Sequence, residues 1–472
     1  MKIRQLLSNF SYTIFSNFVT LGVSTILILI VPKLIGIKAY GYWQLYMFYT
    51  SYAGVLAFGW IDDIYLRFGG WQYDELDKTL FHSQFLMILM SQLVISFFVF
   101  IYSLFNSDAN MKFIFQMFAI CLVLYNMRVF ILYVLQDTNR IREYALINSI
   151  GRVIYFILAI VILLVGVRKY KPLIIADLIG RTTALFFGIY AIRDIVFLKL
   201  STFYWSFYEA WLNISVGIKL LVANFAGLLI IGVVRYGIQM FWGVSVFGKV
   251  SLTLNISNLL MTFISAISLV LYPVLRRMSR QKAKNIYLDI REILMIVLFF
   301  GMFLYYPIDY LLPIWLPKYQ DSLVYMALLF PMCIYQGKFE LLVNTFLKTF
   351  RYEKALLNIN LISLLISVVV TAFNVFFIHN LTVLMFSIIL ILWVQSSLGE
   401  FYLTKQLNIS ILGDIFLETV IVISFMLSGW LLTFPQNIAG YGFTFCFYVW
   451  IKRRKIGKGI NYLKLNIGKQ AQ

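Results

Sequence analysis

The residues of this chain best placed to do chemistry are cations lying inside long apolar stretches. Arg152 and Arg181 fall deep within such stretches and Arg235 in the outer part of one, where an ionised side chain costs about 3 kcal/mol and has to face a cavity or a partner. Arg128 and Lys338 sit nearer the predicted helix ends, from which long side chains can snorkel to the interface. A guanidinium grips phosphate oxygens through two parallel hydrogen bonds, so a cavity lined in this way suits an anionic substrate. The acids are mostly shallower. Asp62, Asp63, Asp177, Asp309, Glu400 and Glu418 lie close to predicted helix ends, and Glu340 is deeper. Asp62, Asp177 and Glu340 are the candidates for coupling to protons or sodium. Asp177 and Arg181 are four apart on one helix and could also simply neutralise each other.

A second pattern is uncharged. Ser251, Asn255, Asn258, Thr262 and Ser265 recur at steps of four and three, making one polar face along a predicted span. Thr13, Asn17, Thr20 and Ser24 repeat this more weakly near the N-terminus. Such stripes either bind neighbouring helices together or wet the wall of a cavity that meets sugar hydroxyls.

Other chemistries find no support. His82 and His379 have no ligand-type partner nearby in sequence, and Cys121, Cys333 and Cys446 lack metal spacing and read as packed apolar groups. There is no phosphate-binding glycine loop, so direct ATP use is not expected. Short predicted external loops argue against a membrane polymerase or ligase, and no cofactor is expected.

The elements that must position these residues are membrane helices. Hydrophobic residues make up 62% of the 472 positions and charged ones only 12%, a balance that excludes an ordinary soluble protein. Runs of about 20 apolar residues are long enough to cross a hydrocarbon core as helices. They predict an all-α integral membrane protein with about fourteen transmembrane helices, at 10–31, 42–61, 83–104, 113–135, 144–167, 173–193, 213–235, 249–275, 292–315, 322–347, 355–378, 382–403, 415–434 and 437–451. Lysine and arginine accumulate on one side when both termini are placed in the cytoplasm, most heavily in Arg276–Lys284 and from Lys452 onward. The net charge of +19 therefore reads as a topology signal and an attraction to anionic membrane lipid, not to nucleic acid.

The chain also repeats itself. Asn17-Phe18, Leu21, Gly36, Tyr40-Gly41 and Leu45 recur at one offset as Asn224-Phe225, Leu228, Gly243, Phe247-Gly248 and Leu252. Glu143-Tyr-Ala-Leu-Ile-Asn148 returns as Glu353-Lys-Ala-Leu-Leu-Asn358. Two six-helix lobes of one orientation follow, with a shared site between them. The expected division is 1–207 as an N-terminal lobe, 208–410 as a C-terminal lobe, and 411–472 as two additional helices with a basic cytoplasmic tail. Arg193–Asn213, with Phe197, Phe203, Trp205 and Trp211 among scattered charges, reads as an interfacial amphipathic helix joining the lobes.

At this point the residues resemble a known family. Gly36-Ile-Lys-Ala-Tyr40-Gly41-Tyr-Trp-Gln-Leu45 and Gly59-Trp-Ile-Asp62-Asp63-Ile-Tyr-Leu-Arg67-Phe-Gly69-Gly70 are similar to the polysaccharide-biosynthesis flippases of the multidrug/oligosaccharidyl-lipid/polysaccharide exporter superfamily. So are Leu135-Gln136-Asp-Thr-Asn139-Arg140 and Val234-Arg235 followed by Phe247-Gly248. The resemblance implies a bacterial plasma-membrane transporter that moves undecaprenyl-pyrophosphate-linked oligosaccharide from inner to outer leaflet by alternating access. It assigns Arg152, Arg181 and Arg235 to the pyrophosphate, Arg67 to guiding the headgroup in, and Ser251, Asn255, Asn258, Thr262 and Asn17 to the sugars. The polysaccharide polymerase and other assembly proteins are the implied partners. The first helix lacks the arginine that some lipid-linked-precursor flippases carry there. A drug antiporter of the same superfamily is the nearest rival, and the scarcity of deep carboxylates counts against it. An inside-negative potential favours outward movement of an anion by about 2.3 kcal/mol per charge per 100 mV, so the potential itself is an expected driving force.

Overall fold

A computed structural model describes residues 3–276 and 280–470, with side chains outside 3–10, 13–14, 66, 220, 260, 262–285 and 454–470. The side chains of the basic run 276–284, of the tail beyond 453, and of Thr13, Thr262 and Ser265 therefore lie outside the described residues. The protein is all-α, and among the described residues ten helices are long and apolar enough to span a membrane. It divides into two compact units, Met1–Phe225 and Ala226–Gln472.

In the first unit the helices are α1 (Ile3–Leu34), α2 (Ile37–Thr50), α3 (Trp60–Phe68), α4 (Lys78–Leu104), α5 (Ala109–Asp137), α6 (Ile141–Leu164), α7 (Tyr170–Ala191) and the short α8 (Arg193–Val196). Helix α9 (Phe207–Phe241) begins here and runs on into the second unit. Starts are set by side chains that take the free backbone N–H groups. Asp77 accepts from Thr79 and Leu80 at the head of α4, and Asp108 from Asn110 at the head of α5. The core packs Phe130, Ile131 and Leu135 of α5 against Ile64, Ile88 and Ile195, which outweighs the conformational cost of ordering them.

Two expectations are corrected here. The single span expected at 42–61 is broken into α2, a 3-10 turn over Ala53–Ala57, and α3. The break falls where Phe58 and Gly59 turn left-handed, and where a Cβ on Gly217 of α9 would strike the Gly59 carbonyl. Only two glycines allow backbones to approach so closely. The amphipathic helix expected over Arg193–Asn213 is also absent as one element; α8, a 3-10 turn at Leu200–Thr202 and the start of α9 replace it. Polar side chains of α4 take over the bonds a helix would have made. Ser83 accepts from the Tyr204 N–H, His82 Nδ1 lies 2.9 Å from the Ile195 carbonyl, and Gln84 donates to Ser206. Phe197, Trp205 and Trp211 remain exposed, as an interfacial segment requires, with Trp205 stacked on Phe207, while Phe203 packs against the core.

The second unit continues with α10 (Gly243–Arg276), α11 (Arg280–Gly301), α12 (Tyr305–Trp315), the short pieces α13 (Gln320–Leu323), α14 (Met326–Leu329), α15 (Met332–Lys338) and α16 (Thr345–Thr349), then α17 (Glu353–Phe373), α18 (Leu381–Leu407), α19 (Leu412–Leu431) and α20 (Gln436–Gln470). A π-helical stretch, Phe339–Asn344, links α15 to α16. Phe425 of α19 and Tyr441 of α20 pack with Tyr305 and Tyr306 of α12 in one aromatic cluster. The segment carrying Phe425 and Tyr441 thus shares a core with Tyr305 and Tyr306 within the second unit. The sequence repeat has a local counterpart, since Glu143 and Glu353 each stand in the first turn of a helix, α6 and α17.

Candidate substrate site

In the first unit, α6 and α7 cross at Gly151 and Gly180. A Cβ on Gly180 would come within 2.5 Å of the Gly151 carbonyl oxygen, so nothing larger fits. That crossing places the next residue on each helix, Arg152 and Arg181, at one small cavity lined also by Arg128, Asn148 and Asp177. Asp177 accepts from Arg181 Nε at 2.6 Å and from the Tyr46 hydroxyl at 2.9 Å, while almost fully buried. Arg128 donates to Asn148 Oδ1 at 3.3 Å, and its Nε is buried with no hydrogen-bond partner. Asn148 and Ser149 both donate to Ser16 of α1, so a polar chain reaches from α1 through α6 to α5.

Charge decides what this arrangement can do. Three guanidinium groups, near enough to repel one another, face one carboxylate, leaving an excess of two positive charges. Among the described residues Arg152 has no ion pair within 4.0 Å. The cavity measures only about 20 Å³, which is room for a water and not for a pyrophosphate. Side chains therefore have to part before anything larger than a water can enter.

The expected site residues divide as follows. Arg152, Arg181 and Asp177 meet, and the Asp177–Arg181 pair is a real ion pair that uses up one of the cations. Arg128 joins them, and the snorkelling expected of it is corrected: its partners Asn148 and the cavity hold it inside the helix bundle. Its neighbourhood had a sequence signal, since Asn148 and Arg152 are four apart and share a face of α6. Asn17 is half-buried in α1. Arg67 sits apart at the end of α3, paired with Glu209 at 2.5 Å, and Asp62 is partly buried in that helix. In the second unit Arg235 donates to Ser251 at 3.0 Å and lies 5.2 Å from the centre of the Phe247 ring. Asn255 and Asn258 are partly buried along α10. Glu340 accepts two bonds from Asn344 within the π-helical stretch.

A second cluster was not anticipated. In the second unit Arg291 is fully buried, pairs with Glu400, and reaches Glu418 at 2.6 Å. Lys338 lies 2.8 Å from Glu400 and 3.1 Å from Glu418. Lys452 bridges Glu292 at 2.7 Å and Asp414 at 2.8 Å, and the Tyr287 hydroxyl donates to Glu400. The snorkelling expected of Lys338 is thereby corrected, because two buried carboxylates are closer than any surface. Four acids against three bases make this cluster slightly acidic, the opposite of the first. The signal for it was present in the four-residue spacings Tyr287–Arg291 and Asp414–Glu418.

No protein-family model matches the chain, and no curated protein matches it by sequence. Solved structures do match by fold. The chain superposes with a TM-score of 0.60 on an inward-facing multidrug-resistance transporter of the MATE family in the MOP superfamily, at 14% identity over 83% of this chain and 94% of that one. An outward-facing MATE structure gives 0.55 at 13% identity, covering 85% and 95%. A MOP-superfamily transporter from Pyrococcus furiosus, described as having a binding pocket of reversed polarity that suggests a different function, gives 0.53 at 11% identity, covering 85% and 95%. The chain therefore has the fold of the MOP-superfamily transporters and is a multi-pass membrane protein.

Proposed function

We propose that this protein exports an anionic, lipid-linked oligosaccharide by alternating access, moving its pyrophosphate headgroup from the inner to the outer leaflet of a bacterial plasma membrane with both termini in the cytoplasm. The carrying observation is the excess of two positive charges where Arg128, Arg152 and Arg181 face Asp177. A pyrophosphate diester brings two negative charges and pairs of unesterified oxygens that a planar guanidinium grips with two parallel hydrogen bonds. On this reading Arg235 and Ser251 form a further phosphate contact, Asn255, Asn258, Thr262 and Asn17 meet the sugars, and Arg67 guides the headgroup in by exchanging Glu209 for phosphate. Polymerase and other polysaccharide-assembly proteins are the expected partners.

A second reading is a multidrug antiporter driven by protons or sodium. The comparisons favour it, since two of the three fold relatives above are named multidrug transporters. The acidic cluster around Glu400 and Glu418 suits cation coupling better than does Asp62, Asp177 or Glu340. Against it stands the sign of the first-unit pocket, since lipophilic cations need carboxylates.

Transport in proteoliposomes separates the two. Export of a lipid-pyrophosphate-linked oligosaccharide, accelerated by an imposed potential, is the expected result. Transport of a cationic dye that follows a pH or sodium gradient, with no movement of the lipid, sinks the first reading and establishes the second.

A further inference from the structure

A larger cavity, about 560 Å³, opens where the ends of α6 and α7 meet Tyr73 and α8. This is the end of α7 expected to face the cytoplasm, and the cavity is the next one along α6 and α7 from the arginine pocket, with Ile147 lining one and Asn148 the other. Its charges are mostly matched. Arg140 pairs with Glu143 and also donates to the Ala191 carbonyl at 2.8 Å. Lys78 pairs with Asp194 at 2.6 Å, and the Tyr73 hydroxyl donates to the same carboxylate. The Tyr73 ring lies between Arg140 and Lys78, at 4.4 and 5.5 Å, an arrangement that holds both cations in place.

Arg193 is the exception. It is exposed, stacks 5.1 Å from the centre of the Tyr190 ring, and among the described residues pairs with no carboxylate. One positive charge is therefore unmatched at the rim. Beneath it the walls are apolar and open, with Leu146, Phe187 and Tyr190 exposed by 55%, 49% and 67%. A cavity this size is within the range of small-ligand sites, and its two faces ask for one molecule with a phosphate at one end and hydrocarbon at the other.

We propose that this cavity binds an anionic phospholipid of the inner leaflet, with its phosphate on Arg193 and an acyl chain laid over Phe187 and Leu146. Arg193 is pre-oriented by Tyr190, so little side-chain freedom is lost on binding. The unmatched charge selects lipids of net negative charge over zwitterionic ones.

Native mass spectrometry of the full chain in detergent tests this with phosphatidylglycerol, phosphatidylcholine and inorganic phosphate as probes. Phosphatidylglycerol should be retained at least fivefold more than phosphatidylcholine, and millimolar phosphate should not displace it. Arg193→Ala and Phe187→Ala should each cut retention at least fivefold, Arg193→Lys should restore part of it, and Arg152→Ala should leave it unchanged. Among the described residues the Arg193 side chain makes no hydrogen bond, so its removal should leave the fold intact, which the unfolding midpoint checks. Retention unchanged in Arg193→Ala overturns the proposal. Loss in Arg193→Ala but not in Phe187→Ala, with displacement by phosphate, overturns it in favour of a soluble-anion site.

Discussion

Lys338 Nζ lies 2.8 Å from Glu400 Oε2, and neither side chain is exposed by more than 1%. A buried ion pair is weak evidence of net stability, because desolvation offsets the attraction, yet removing one partner leaves an uncompensated charge. Lys338→Met should therefore destabilise the protein by about 3–5 kcal/mol, seen as a clear fall in the thermal unfolding midpoint in detergent. The double variant Lys338→Met with Glu400→Gln should recover part of that loss. A double-variant loss equal to the sum of the two single losses would show that the two residues act independently.

The arginines of the first unit should differ in kind. Arg152→Ala and Arg128→Ala should lower export at least tenfold at unchanged membrane level, since neither is held by a carboxylate among the described residues. Arg181→Ala should lower both export and folded yield, because it leaves Asp177 buried with only the Tyr46 hydroxyl. Matching yields for all three variants would contradict the distinction.

Gly217 tests the backbone contact that breaks the second span. A methyl group there meets the Gly59 carbonyl carbon and oxygen, and neither backbone can step aside cheaply. Gly217→Ala should cost at least about 1–3 kcal/mol, as overpacking does. Gly166→Ala should cost less, because a Cβ there meets nothing within 4 Å and only its positive φ is strained. The comparison is read from the two unfolding midpoints.

Asp77 caps α4 from outside the membrane, and its hydrogen bond from the Thr79 hydroxyl, with those from the Thr79 and Leu80 N–H groups, holds its carboxyl below the usual range. A depressed folded-state value means that the stabilisation is full above the unfolded value of about 4 and is lost as pH falls through the folded one. Asp77→Ala should cost about 1 kcal/mol at pH 7, and the gap from wild type should shrink in acid. A gap that stays constant down to pH 3 contradicts the assignment.

The helical architecture was legible because long apolar runs have few other fates. The breaks were not. Nothing local marks Gly59 as the end of a span until Gly217 is known to cross it, and nothing around 193–206 shows that α4 side chains will satisfy its backbone. Pairing across helices was the other blind spot. Arg181 with Asp177 could be read because they share one helix, whereas Lys338 with Glu400 and Glu418, and Arg128 with Asn148, join different helices. The depth of a charge along a single helix therefore misjudged Lys338 and Arg128 alike.

The most direct test is binding of undecaprenyl pyrophosphate to the purified full-length protein, compared with undecaprenol and a cationic dye, in wild type and Arg152→Ala. The cationic-pocket account predicts that the pyrophosphate lipid binds at least tenfold more tightly than the alcohol, that Arg152→Ala removes most of that preference, and that the dye does not compete. Equal binding of lipid and alcohol, or competition by the dye that Arg152→Ala leaves intact, would contradict it and move the protein to the drug-transport reading.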